Sequence, residues 1–168
     1  MEGCALAELN LANLRGISIS VSGLDKIGDR LLVVYDGHCG FCNGFVSWLL
    51  RRDRRDRLRF VASESPKVAG LLARHGMGVT DFVSGPDTIL VVRDPDGPAE
   101  RVFVRSAAAL EMFGELPRPW PVVAAILRWV PGFLSDSLYR LVARWRYRIW
   151  GRLESCPIPT ADERARFL

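Results

Sequence analysis

An α/β domain on a mixed sheet is what this sequence predicts, and three features predict it. Two apolar runs, RLLVVYD (30–36) and LRFVAS (58–63), flank a stretch of helical apolar spacing, the pattern of strand, crossover helix and strand. Two further runs, DTILVV (87–92) and ERVFVR (100–105), are joined by Asp94-Pro95-Asp96-Gly97, a hairpin signal. The 168 residues, 49% hydrophobic and 25% charged, suit one domain with a real core and an appended helical piece.

Taken in order, residues 1–28 carry the weakest pattern. LAELNLANL has a faint helical period and GISISVSG reads as a short strand or extended arm, so this stretch is assigned as a leader. The core, 29–115, opens on RLLVVYD, a buried strand stopped by Asp36-Gly37. From Gly40 to Arg52, Phe41, Phe45, Trp48 and Leu49 recur at helical spacing, and arginines close the last turn. LRFVAS is the second strand. SPKVAGLLARHG (65–76) reads as a helix with Pro66 near its start and Gly76 past its end. After the hairpin, SAAALEMF (106–113) is a helix for which Ser106 is the expected cap. The order β-α-β-α-β-β-α is that of a thioredoxin-like domain, its first two strands parallel and its hairpin an antiparallel edge. Residues 116–168 add two helical segments, WPVVAAILRWV (120–130) and LSDSLYRLVARWRYRIWGR (134–152), parted by Pro131-Gly132, and a tail.

Composition excludes several function classes. The net charge of +4 is modest and no RNA- or DNA-reading motif accompanies it, so nucleic acid is not an expected partner. The start, MEGCALAELN, lacks a basic region and an unbroken apolar run, and no stretch reaches the length of a membrane span, so the expected location is cytoplasmic. Four cysteines do not make a disulfide scaffold in a chain this long; only Cys39 and Cys42 lie close together.

Those two carry the chemistry, because their CxxC falls at the seam between a strand and a helix. The first helical turn has N–H groups without intrahelical partners and the positive end of the macrodipole, and both stabilise a thiolate. Cys39 at the cap is therefore the expected nucleophile, partly exposed, and Cys42, one turn further in, the resolving thiol. His38, when protonated, would favour the thiolate. A structural zinc needs about four ligands, and His38, His75, Cys4 and Cys156 are scattered, so no metal site is expected. Asn43 stands where a c-type haem needs histidine. Thiol exchange requires no cofactor.

The stretch YDGHCGFCNGFVSWLLRRDRRDRLRFVAS (35–63) resembles the DCC family of thiol-disulfide oxidoreductases, named for Asp-x-x-Cys-x-x-Cys, which Asp36, Cys39 and Cys42 match. The similarity runs on through Asp87, RSAAAL and LYRLVARWRYRIWGR to Cys156, over roughly residues 31–159. It implies a thioredoxin-like fold and protein-disulfide reductase activity, with a disulfide-bearing protein or small thiol as substrate and an external reductant. Thioredoxins proper carry tryptophan where His38 stands, and Pro86 lies one residue out of place for their cis-proline. Asp87 or Thr88 would then face the CxxC and alter the groove.

Other residues have competing readings. Asp36 either accepts the Cys42 proton or caps the strand-to-helix turn. Cys156 is a third redox thiol or, more simply, a small packing residue. RRDRRDRLR (51–59) reads as a solvated helix end, and His75 as a partner for free carbonyls at its helix end. Trp120, Trp129, Trp145 and Trp150 with Arg140, Arg144, Arg146, Arg148 and Arg152 suit a membrane interface, but packing of these helices on the core is the commoner arrangement. The competing function is a redox-inert or metal-binding thioredoxin-like module that binds a partner or a membrane surface.

Overall fold

The computed structural model describes residues 27–78, 89–151 and 161–168. Its elements are β1 (Leu31–Tyr35), α1 (Gly40–Arg52), β2 (Leu58–Ala62), α2 (Pro66–Arg74), β3 (Ile89–Arg93), β4 (Arg101–Val104), α3 (Arg105–Glu115), α4 (Trp120–Leu127), α5 (Gly132–Trp150) and the single turn α6 (Ala161–Arg164). The four strands form one mixed sheet in the order β2-β1-β3-β4, with β1 parallel to β2 and antiparallel to β3, and β3 antiparallel to β4. This is the thioredoxin-like arrangement that the element order implies.

The continuous apolar run of β1 is explained by its central place: all five residues are buried. Because side chains alternate along a strand, Leu31, Val33 and Tyr35 pack on one face with α1 and α3, while Leu32 and Val34 pack on the other with α2. The sheet is thus a middle layer, and the end of β1 delivers the chain straight into the CxxC.

Several local expectations need correction. Ser106 does not cap α3. The N-cap position is Val104, without a side-chain cap, and Ser106 donates its hydroxyl to Asp136 of α5 at 2.5 Å. Arg105 turns the chain from β4 directly into α3 through a left-handed φ of 55°, which leaves no loop for a capping serine. The run 51–59 is not simply solvated. Asp53 is buried, and Asp56 joins Arg30, Arg59 and Arg166. The Asp56 carboxyl is drawn down to about 2, first by its hydrogen bonds from Arg59. His75 ends α2 as expected, but its imidazole pairs with Glu100 at 2.7 Å.

The largest difference concerns α5. It packs against α1 and α3, yet only Ala143 and Arg146 are buried, and Leu138, Leu141, Trp145 and Ile149 face outward. Packing on the core therefore accounts for one side of this helix and leaves the other bare.

Candidate active site

The site grows from the turn between β1 and α1. Asp36 is fully buried, and its Oδ1 accepts the His38 N–H at 3.0 Å, closing the turn two residues on. Cys39 takes the N-cap with an extended backbone, and its Sγ accepts the Cys42 N–H at 3.3 Å. Sulfur here does what a serine oxygen does at an ordinary cap. Asn43 fastens the loop from below: its Nδ2 donates to the carbonyls of Gly37 at 2.7 Å and Cys39 at 3.0 Å. Cys39 and Cys42 are both free thiols.

Cys39 is not partly exposed, as its cap position suggests; its relative exposure is 0%. The end of α5 lies against the two spacer residues that follow it. Gly40 donates its N–H to the Gly151 carbonyl at 3.5 Å, and a Cβ on Gly40 would stand 2.6 Å from the Trp150 carbonyl oxygen. Only glycine fits the first spacer position under that backbone. The second spacer residue, Phe41, sets its ring against Trp150 with centroids 4.7 Å apart.

The same helix adds two polar groups to the floor. Tyr147 donates its hydroxyl to Asp36 Oδ2, and the Arg146 guanidinium lies 3.5 Å from that oxygen. Arg146 is itself buried and also donates to the Ala143 carbonyl at 3.0 Å and to the Tyr147 hydroxyl at 3.3 Å. One Asp36 oxygen thus closes the turn, one of the two roles that its sequence position allows, and the other faces a half-buried phenol and a buried cation.

These neighbours split the two thiols. The hydrogen bond shared with Cys42, then the Cys42 amide and the Arg146 charge, bring Cys39 down to about 7 against the opposing pull of burial and Asp36. Cys42 moves the other way: its hydrogen bond to Cys39, its burial and the Cys39 charge push it far above the ordinary thiol range. Tyr147 is also raised, by burial first and then by its bond to Asp36. The lowering of Cys39 thus owes more to its neighbouring thiol than to the helix amides alone.

Of the residues singled out from sequence, Asp36, Cys39 and Cys42 come together. His38 is adjacent in sequence, with its Nε2 4.0 Å from Glu64 Oε1, and Arg146 is a cation that acts on Cys39. Thr88, Cys156, Cys4, Pro86 and Asp87 lie outside the described residues. Sequence reasoning missed Asn43, Arg146 and Tyr147. One signal for Arg146 existed: it falls outside the four-residue series Arg140, Arg144, Arg148 and shares the side of Ala143. Beside the CxxC runs an apolar groove of about 310 Å³ lined by Phe41, Phe45, Trp48, Phe113, Trp120 and Trp150.

With this geometry in hand, the chain can be placed. Residues 33–152 match the model of the DCC1-like thiol-disulfide oxidoreductases, and the chain belongs to that family. It is 34% identical over 129 residues to a chloroplastic DCC family protein of Arabidopsis thaliana, covering 77% of this chain and 70% of the relative. It is 28% identical over 144 residues to the uncharacterised protein YuxK of Bacillus subtilis, covering 86% of this chain and 97% of that one. No solved structure gives a significant match.

Proposed function

We propose that this chain is a protein-disulfide reductase that uses Cys39 as nucleophile and Cys42 as resolving thiol. The observation that carries the reading is the buried cluster in which Cys39, at the cap of α1, is brought down to about 7 beside a Cys42 pushed up. The Cys39 thiolate attacks one sulfur of a client disulfide. A mixed disulfide forms, and the other client sulfur leaves as a thiolate that takes a proton. Asp36, whose charge acts on both thiols, accepts the Cys42 proton. Cys42 then attacks Cys39 Sγ and releases the second client thiolate, so the client gains two electrons and the protein holds a disulfide. An external dithiol restores it, and in a reducing compartment, the cytoplasm in our reading, the resting state is the dithiol.

Cys39 is buried, so the site opens before a client reaches the sulfur, and the last turn of α5 against Gly40 is the element we expect to swing away. The aromatic groove beside α1 then receives apolar client side chains, whether on a protein or a small thiol.

Equilibration in glutathione buffers, followed by denaturing alkylation and mass measurement, tests the reading. A reversible change of two thiols is expected, lost in Cys39→Ser, whereas Cys42→Ser accumulates mixed disulfides with clients. No exchange across the cytosolic range of potentials overturns it. The sign with pH is fixed as well: thiolate absorbance rises as pH climbs through about 7, the Cys39 value, and falls again on acidification.

A further inference from the structure

We infer that the outer face of α4 and α5 docks on an anionic lipid surface. Along α5, Leu134, Leu138, Leu141, Trp145 and Ile149 recur at three- and four-residue steps, the spacing of one helical stripe, and all five are exposed. A second row, Arg140, Arg144 and Arg148, runs beside it at four-residue steps and is exposed too. The guanidinium of Arg148 sits 5.4 Å over the Trp145 ring, so charge and aromatic meet where the rows touch. At the corner between the helices, Trp129 is 89% and Phe133 75% exposed, large apolar side chains set out in water.

Two apolar hollows make this face continuous. One, of about 540 Å³, lies between α3, α4 and α5 and is lined by Leu110 and Phe113 as well as Leu127, Leu134 and Leu138; the other, of about 400 Å³, follows through Leu141, Trp145 and Ile149. An apolar face this long is larger than scattered surface leucines explain, and it calls for an occupant.

Charge decides which occupant. Residues 116–151 contain six arginines and one acid, Asp136, which turns inward to accept the Ser106 hydroxyl. An excess of five in this segment exceeds the whole chain's +4, so the basic character of the protein is concentrated here. Two copies brought face to face would set the arginine rows against like charge, with no exposed acid among the described residues of α4 and α5 to answer them. Lipid phosphates answer them while the acyl boundary takes the tryptophan and leucine stripe. Contact is with the surface alone, since no helix among the described residues is long and apolar enough to cross a membrane.

Co-sedimentation of the full chain with phosphatidylcholine vesicles, with and without phosphatidylglycerol, tests the inference. Binding is expected on the anionic vesicles only, weakening as salt rises, with a blue shift of tryptophan fluorescence on binding. Combining Arg140→Gln, Arg144→Gln and Arg148→Gln should weaken it about a hundredfold. The exposed pair Leu138→Gln and Leu141→Gln should weaken it while unfolding and thiol titration stay as in the parent chain. Absence of vesicle binding overturns the inference. So does binding that ignores lipid charge or survives both variants, or a dimer whose disruption by the leucine pair is the only effect seen.

Discussion

The two ends of α1 each bury an aspartate, and the two are satisfied in opposite ways. Asp53, at the C-terminal end, accepts the N–H groups of Arg57 and Leu58 at 3.0 Å each, and Arg166 Nη1 stands 3.5 Å from its carboxylate. Its hydrogen bonds come from backbone four and five residues away, groups that do not titrate. Asp36, at the other end, spends one oxygen on a local N–H and turns the other to Tyr147 and Arg146, 111 and 110 residues further along. An aspartate that only shapes a loop needs what Asp53 has. A carboxylate held against a phenol and a guanidinium, with its charge felt by two thiols, has neighbours whose protonation it can alter.

Neutralising each aspartate in turn separates their roles. Asp36→Asn is expected to slow closure of the Cys39–Cys42 disulfide about a hundredfold, because the proton acceptor is lost. The same change removes a charge that holds Cys39 up, so its thiolate midpoint should drop below about 7; quenched oxidation and ultraviolet titration read the two effects. Asp53→Asn should instead cost about 2 kcal/mol in denaturant unfolding, through a backbone N–H left poorly paired, with the Cys39 midpoint unmoved. A loss of exchange rate in Asp53→Asn alone would break the distinction.

Smaller effects test the helix that supplies the distant partners. Gly40→Ala puts a methyl against the Trp150 carbonyl and should cost about 1–3 kcal/mol as the end of α5 is forced off. It should also speed alkylation of Cys39 in the native state. Tyr147→Phe removes one hydrogen bond to Asp36 and should cost about 1 kcal/mol in the same unfolding measurement, with the Arg146 contact retained.

Much of this was legible along the chain. The apolar run of β1, the spacing of Phe41, Phe45, Trp48 and Leu49, and Pro66 and Gly76 around α2 act locally, and local pattern is what a sequence displays. The CxxC at a strand-to-helix seam was legible for the same reason. The burial of Cys39 was not, and neither was the approach of Trp150 and Gly151 to Gly40 beside it, because no periodicity links positions so far apart. The inward turn of Arg146 left one trace, its place outside the four-residue arginine series, but nothing in that spacing names Asp36 as its partner. Ser106 shows the reverse error: a residue with the right chemistry for a cap found a partner on α5 instead.

The distance between Asp36 and Arg146 has a further consequence during manufacture of the chain. At roughly 5–20 residues per second, a ribosome that has made the cysteine pair needs on the order of ten seconds more to reach the residues that roof it. For that interval the growing polypeptide carries two uncovered sulfurs and an aspartate with its companions still unmade. Any protection from premature oxidation in that window comes from outside the molecule, since its own shelter arrives last.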